Sequence, residues 1–476
     1  MRRVLISPKQ DLVEVVADIL GAGSDYSSCL VVFPGKRPAH YLRRVLARRE
    51  GRGLIPPTIF SMDAFIDFVF EDLLGLPGRK MEAIDAVALL FRIHVAHENR
   101  LGGSSFVKAT NFFPLGLKLY RDLEELLIEG VPPDRARAVD SVAGIPVPVQ
   151  SHERLQSLSF FYERFYEEAK EAGFATRSQR YRAVAAASDN SLFSQFERIV
   201  LAGFFALTHA ERELFGKLGG LEQAVVVFQD GRGLDVKLGE MGLDVKGFED
   251  LREGPTSRGT ANVTFYRSPD THGQIFGMNG ILGRAEPAGQ DPRDTVIVLP
   301  SAETLFPLIH NAVALSDPWA YNISLGYPLT RTPVYGFLRN LSEVVMSADS
   351  DRIHVPAYLS FVLHPYTKNI YFDGRTDVTR MLFHAVEGKL RARQIKFVTL
   401  EEIEQSDELF DRLLMQTDVE GRDVAGLKAH VRWIHDNTIR RFLGCNDVED
   451  FAGRVIELIR FIYDQSTARL HPFFHP

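Results

Sequence analysis

What this sequence lacks already narrows its chemistry. It has only two cysteines in 476 residues, Cys29 and Cys445, too few for a disulfide framework or an all-cysteine zinc or iron–sulfur site within the chain. No apolar run approaches the length of a membrane span. The opening MRRVLI meets Ser7, Pro8, Lys9 and Asp11 before a signal-peptide core could form, so the expectation is a cytoplasmic protein with no membrane partner. An excess of basic residues is missing too: the formal net charge is −7, so any nucleic-acid contact must come from a local patch. No GxxxxGK followed by Ser or Thr occurs anywhere, which removes the usual glycine-lined phosphate cradle.

What is present suffices for a large core. With 45% hydrophobic and 25% charged residues, the chain is expected to be globular and to hold two to four domains. DTVIVLP, Asp294 to Pro300, is an aliphatic run closed by proline and reads as a central parallel strand buried on both faces. A helical segment carrying Pro307 follows, with a kink expected there. In NISLGYPLTRTPVYGFLRNLSEVV, from Asn322 to Val345, Thr332 can cap a helix and Pro333 suits its first position. Val334, Phe337, Leu338, Leu341, Val344 and Val345 then form its apolar face.

The N-terminal half alternates in the same way. Val4 to Ile6, Cys29 to Phe33, Ile199 to Leu201 and Ala224 to Phe228 are strand candidates, and Asn262 to Arg267 reads as the first strand of the second domain. The first is followed by the turn-like SPKQ and a helix whose Leu12, Val15, Val16, Ile19 and Leu20 share a face, ended by Gly21. Lys9 in that turn reads as a solvated loop lysine. After the second strand, Lys36, Arg37, Arg43, Arg44, Arg48, Arg49 and Arg52 place seven cations in seventeen residues, with Glu50 the only acid. Tyr41, Leu42, Val45 and Leu46 would face inward from this basic helix. Between about Glu82 and Ala187 the periodicity is helical, at Ala83 to Glu98, Phe112 to Glu129, Glu153 to Ala172 and Gln179 to Ala187. Thr208 with Glu211 is a capping box. Gly231 to Thr260, rich in glycine and charge, fits a crossing between domains. Beyond Ser347 the strand pattern stops and helices are expected at Val355 to Val362, Val378 to Ala392, Leu400 to Thr417, Val424 to Leu443 and Val448 to Ile462.

Three stretches, Pro34 to Ile66, Ile199 to Leu218 and Thr295 to Val345, resemble superfamily I helicases. The run RIVLAGFFALTHAERELFGKL is similar to the DGF-x-x-F-T-x-x-E run of AddB and RecC, with Gly203, Phe204, Thr208 and Glu211 matching and Ala202 replacing the aspartate. The resemblance implies an α/β fold with two RecA-like parallel-sheet domains and large helical insertions. Residues 1–75 and 190–258 would form the first such domain, 76–189 its helical insertion, 259–346 part of the second domain, and 347–476 a helical region. Ser7, Lys9, Ala202 and Gly203 would then occupy a degenerate nucleotide site, without the Lys and the Asp-Glu pair that ATP hydrolysis requires. Lys36, Arg37, Thr58 and Ser61 match the segments that hold a DNA strand by its backbone, and Arg43 and Arg44 extend that patch.

The implied function is a non-catalytic scaffold of an AddAB-type double-strand-break processing complex, binding single-stranded DNA beside an AddA-type helicase–nuclease subunit and needing no cofactor of its own. A PD-(D/E)XK exonuclease would follow Pro476 in the longer protein. The competing reading is an enzyme, either a divergent ATP-dependent helicase or a nuclease using Asp373, Asp377, Glu387 and Lys389. That motif is set against it by the helical pattern of Val378 to Arg393, because such acids must sit on paired strands to share magnesium. His94 with His97 has no third ligand near in sequence, and Pro472 prevents His471 and His475 from aligning on a helix. Neither pair reads as a metal site.

Overall fold

A computed structural model describes residues 2–51, 53–97, 106, 108–137, 141–142, 145–146, 149–231, 233–240, 247–252, 262–285, 295–309, 311, 322–326, 328–410, 424–445 and 447–470. The chain divides into two units, Met1–Thr260 and Ala261–Pro476.

Alternation of side chains builds the first unit. Strands β1 (Arg2–Ile6), β2 (Cys29–Phe33) and β3 (Thr58–Ser61) are each followed by a helix: α1 (Leu12–Leu20), α2 (Arg37–Glu50) and α3 (Met62–Phe68). Successive strand residues point to opposite faces. Val4, Ile6, Val31 and Phe33 therefore pack with Val16, Leu20, Leu42 and Leu46 of α1 and α2, while Leu5, Leu30 and Val32 pack with Phe65 and Ile66 of α3 on the other face. Ala83–Ala96 (α4), Ala109–Ile128 (α5) and Val149–Glu171 (α6) make the helical insertion, with its own core of Leu90, Phe112, Leu123, Phe161 and Phe165. The chain returns through α7 (Arg177–Ala187), capped by Thr176 and Gln179, whose Tyr181, Val184 and Ala185 belong to the sheet's second face.

Then come β4 (Arg198–Ala202), α8 (His209–Leu218), β5 (Ala224–Gln229), α9 (Leu234–Glu240) and β6 (Glu249–Asp250). The six strands are all parallel, in the order β6-β1-β5-β4-β2-β3. Strand β6 lies in the stretch expected to be only a crossing between domains. Its two acidic residues carry no strand propensity, and the pairing is held at the sheet edge by the Arg2 guanidinium on Glu249 at 2.6 Å.

In the second unit the helices expected at Val355 to Val362, Val378 to Ala392 and Val448 to Ile462 are present. The one expected over Leu400 to Thr417 ends at Glu404, with 411–423 outside the described residues, the one expected over Val424 to Leu443 breaks after Asn437, and the expected strands do not pair among the described residues. Helix α10 (Thr271–Ala285) starts with the Asp270 carboxylate accepting from the Gly273 amide, and α11 (Pro333–Met346) starts under Thr332. Helices α12 (Val355–Val362), α13 (Asp377–Ala392), α14 (Val424–Asn437) and α15 (Val448–Gln465) share one core that includes Phe337, Tyr358, Phe361, Phe383 and Ile434. Among the described residues the expected strands at 262–267 and 295–299 carry no ladder pairing, and Asp294 lies outside those residues. Val296 and Val298 are 81% and 82% exposed and Phe265 is 92% exposed, whereas Ile297 and Leu299 pack on Ile275 and Leu308. An aliphatic run becomes a central strand only when both faces are covered, and here one face meets nothing among the described residues. Among the described residues the sheet in this unit is instead a short antiparallel pair, β7 (Arg352–His354) with β8 (Phe397–Thr399), in the region where the pattern promised none. No helix among the described residues is long and apolar enough to cross a membrane.

Candidate nucleic-acid interface at the carboxyl edge of the sheet

Because the strands are parallel, the loops leaving them emerge on one edge. The connection from β1 passes over the face covered by α1, and that from β4 over the face covered by α8. Ligands of open α/β sheets bind where connections diverge in this way, outside the strand carboxyl ends. Strand β5 alone separates β1 from β4, so Ser7 and Ala202 emerge two strand spacings apart, roughly 10 Å. The topology thus brings all four residues of the expected nucleotide site, Ser7, Lys9, Ala202 and Gly203, to one crevice.

That crevice is closed from within. The Ser7 amide donates to Gln10 Oε1 at 2.6 Å, the Lys9 amide to Ser7 Oγ at 3.3 Å, and the Gln10 amide to the Ser7 carbonyl at 3.0 Å. Asp11 caps α1, accepting from the Val13 and Glu14 amides at 2.8 and 3.4 Å. The amides that a phosphate-binding loop would turn outward are spent on the loop itself, and a carboxylate occupies the helix terminus where an anion would sit. Gln10 is tied further by its side chain to the Leu251 carbonyl and by its own carbonyl to Gln229. Gly203 has φ +82°, and a Cβ there would stand 3.0 Å from Leu12 Cδ2, so α1 packs directly against the exit of β4. Ala202 is fully buried among Val4, Ile6, Phe33 and Val227. Lys9 is exposed, as expected of a solvated loop lysine.

The six expected DNA-contact residues divide. Lys36 and Ser61 line one cleft of about 230 Å³ at this edge, with Asp63, Lys80, Arg177 and Tyr181. An adjoining cleft of about 160 Å³ shares Asp63, Arg177 and Tyr181 and is walled by Pro34, Phe204 and the exposed Phe205. Arg37 is exposed at the first turn of α2 beside Lys36. Arg43 and Arg44 lie further along α2, at exposed positions away from the cleft, and Thr58 sits at the opposite end of β3 from Ser61. A single channel lined by all six is therefore not what the fold builds. Ser61 also has a structural task, its hydroxyl accepting from the Ala64 amide at 3.4 Å to cap α3.

Residues that the sequence patterns did not single out organise the cleft. Asp63 accepts from the Tyr181 phenol at 2.6 Å and from Arg177 at 2.7 Å. Burial would raise the Asp63 carboxyl, but these two donors outweigh it and hold it below its ordinary value. Burial, then the bond to Asp63, pushes the Tyr181 phenol up. Lys80 pairs with Asp67 at 2.6 Å, and the fully buried Arg180 reaches Asp67, Glu71 and the Gly78 carbonyl. These contacts lash the return from the helical insertion to α3. Asp63 and Asp67 are committed to Arg177 and Lys80 and those cations to them, so neither carboxylate is a free base, and Lys36 is the lining cation outside these pairs.

The other candidates fall into structural roles. Glu387 and Lys389 sit on α13, where Glu387 pairs with Arg391 and His384, Lys389 reaches Ser406 and Glu408, and Asp377 pairs with Arg375. Asp373 occupies a turn with φ +50°. His94 is buried against Phe112, which lowers its pKa, and His97 bonds its own helix at the Ile93 carbonyl. His471 and His475 lie outside the described residues, and among those described no group of three His, Cys, Asp or Glu is placed to hold a metal. Cys29 is buried and Cys445 half-buried, both as free thiols. No protein-family model matches the sequence, and no curated protein matches it either.

Proposed function

We propose that this chain is a helicase-like scaffold without nucleotide chemistry, which holds and guides single-stranded DNA within an AddAB-type double-strand-break processing complex. The observation that carries the reading is the closed loop from Ser7 to Asp11. It stands where a P-loop would, yet its amides are turned inward and its helix terminus is held by its own carboxylate. A triphosphate there would meet Asp11 without the Lys and the acidic pair that neutralise and hold it. In support of the DNA part, Lys36 and Ser61 share a cleft at the sheet edge where such folds receive ligands, beside the exposed Arg37 and Phe205.

In this reading the six-stranded unit is the first RecA-like domain and α4 to α6 its insertion. Residues 259–346 correspond to part of the second RecA-like domain, whose extended segments are unpaired here, and the helices beyond are the 2B-type insertion. The partner is an AddA-type helicase–nuclease subunit. The nuclease alternative has no support from α13, where ion pairs occupy Glu387 and Lys389.

Titrating a fluorescent ATP analogue with magnesium, and in parallel a labelled oligothymidylate, tests both parts. The expected outcome is no nucleotide binding and salt-sensitive DNA binding that Lys36→Glu weakens. Micromolar nucleotide binding with turnover would defeat the scaffold reading, and salt-independent or absent DNA binding would return the cations to solvated surface.

A further inference from the structure

The outer face of α2 carries a pattern that the cleft does not use. Arg37, Tyr41, Arg44 and Arg48 recur at spacings of four, three and four residues and so lie on one face, opposite the buried Ala39, Leu42 and Leu46. At 1.5 Å per residue the stripe is about 16 Å long, with a side chain every turn, roughly 5 to 6 Å apart. Tyr41, expected to face inward with Leu42, Val45 and Leu46, is instead 55% exposed in the middle of it, because its helical position falls between Arg37 and Arg44 and opposite the buried Leu42 and Leu46. His40 flanks the same side, whereas Arg43 lies further round the helix, toward Ala39.

The neighbouring charged groups at the end of α2 are engaged away from the stripe. Arg49 lies off the stripe and binds Glu14 and Asp18 on α1. Glu50, the only acid of the helix, accepts from the Gly23 amide at 3.1 Å and the Tyr26 phenol at 3.3 Å, on the loop before β2. Among the described residues no carboxylate pairs with Arg43, Arg44 or Arg48.

We infer that a single-stranded nucleic acid leaving the Lys36 cleft continues along the outer face of α2, its phosphates on Arg37, Arg44 and Arg48 and one base stacked on Tyr41. Regularly spaced cations suit a regularly charged chain, and the interleaved phenol ring favours a strand with unpaired bases, since a duplex offers no free base face. The inference rests on the strand-guiding reading above and extends it by a path and a stacking residue.

Anisotropy titrations with labelled dT6 and dT18 over a range of salt test it. The longer strand should show a salt slope steeper by about 2, from three further arginine contacts at about 0.7 each. Arg44→Glu with Arg48→Glu should remove about 1.4 of that increment, the share of those two contacts, and leave dT6 binding intact. Tyr41→Ala should weaken dT18 roughly tenfold, with Tyr41→Phe restoring it. If the increment survives the double charge reversal while Lys36→Glu weakens both strands, the strand uses the cleft but does not follow α2. If an 18-base-pair duplex binds as well as dT18 and Tyr41→Ala changes nothing, the face contacts duplex backbone and the single-strand path is wrong. If neither oligonucleotide binds the unaltered protein, the strand-guiding reading falls and takes this inference with it.

Discussion

Ala202→Asp asks directly whether the crevice is a closed piece of core or a nucleotide site awaiting its acids. Ala202 ends β4 with no exposed surface, packed with Val4, Ile6, Phe33 and Val227, and faces no cation among the described residues. An aspartate placed there cannot stay charged cheaply. Buried carboxyls without partners titrate as high as pH 8 to 9, so at pH 7 the side chain must take up a proton that it would hold only below about 3.9 in the unfolded chain. The cost is the distance from 3.9 to 7 at about 1.4 kcal/mol per unit, or roughly 4 kcal/mol. That is a large share of the stability of most domains. The sign follows from the raised folded-state pKa: the penalty is absent below about pH 4 and grows as the pH rises through the unfolded value. Ala202→Asn, equal in size and never charged, separates the packing cost from the charge. Urea unfolding of both variants at pH 4 and pH 7.5, with and without magnesium, should show the aspartate matching the asparagine in acid and falling well below it at pH 7.5. An aspartate variant equal to the asparagine variant at pH 7.5, or one stabilised by magnesium, would show that the crevice opens and would refute the closed-loop argument.

Two further expectations concern the packing around the site and in the helical unit. Arg180→Ala should lower the unfolding free energy from urea titration by about 3 kcal/mol, because it strips Asp67, Glu71 and the Gly78 carbonyl of a buried donor; an unchanged free energy would mean that Lys80 and Arg177 hold the insertion return unaided. His430 is buried between Phe372 and Trp433, hydrogen-bonded to Thr379 at 2.8 Å, and burial lowers its pKa to about 4. The folded state therefore keeps this imidazole neutral while the unfolded chain protonates it below about 6.5. Its contribution is full above that value and is lost as the pH falls toward 4, up to about 3 kcal/mol. Melting temperatures of the protein and of His430→Gln across that range should converge in acid, and parallel curves would exclude His430 as the source.

Legibility followed the range of the interactions. The strands β1, β2, β4 and β5 were readable because each is a short aliphatic run between turn residues, and the Thr208–Glu211 and Thr332–Pro333 starts were readable because a cap is decided within four residues. The run at 295–299 misled for the complementary reason. Periodicity reports that a segment is apolar, and not whether a neighbour exists to cover it. Strand β6 and the β7–β8 pair were missed because their residues acquire strand geometry only from partners far along the chain.

By itself, the sequence determined that no GxxxxGK followed by Ser or Thr and no acidic pair after Leu201 is encoded, since no folding can supply residues that are not there. It also determined that α2 would be a basic helix with one apolar face. Tertiary structure decided where those features go: that SPKQ and the exit of β4 close on each other through Leu12 and Gly203, that Lys36 and Ser61 share a cleft while Arg43, Arg44 and Thr58 do not, and that Asp63, Arg177 and Tyr181 join across more than a hundred residues. The physical reason is the same throughout. Helix faces, caps and turns are settled by residues a few positions apart, whereas strand order, burial of the second face and the pairing of distant charges depend on which surfaces meet when the chain packs.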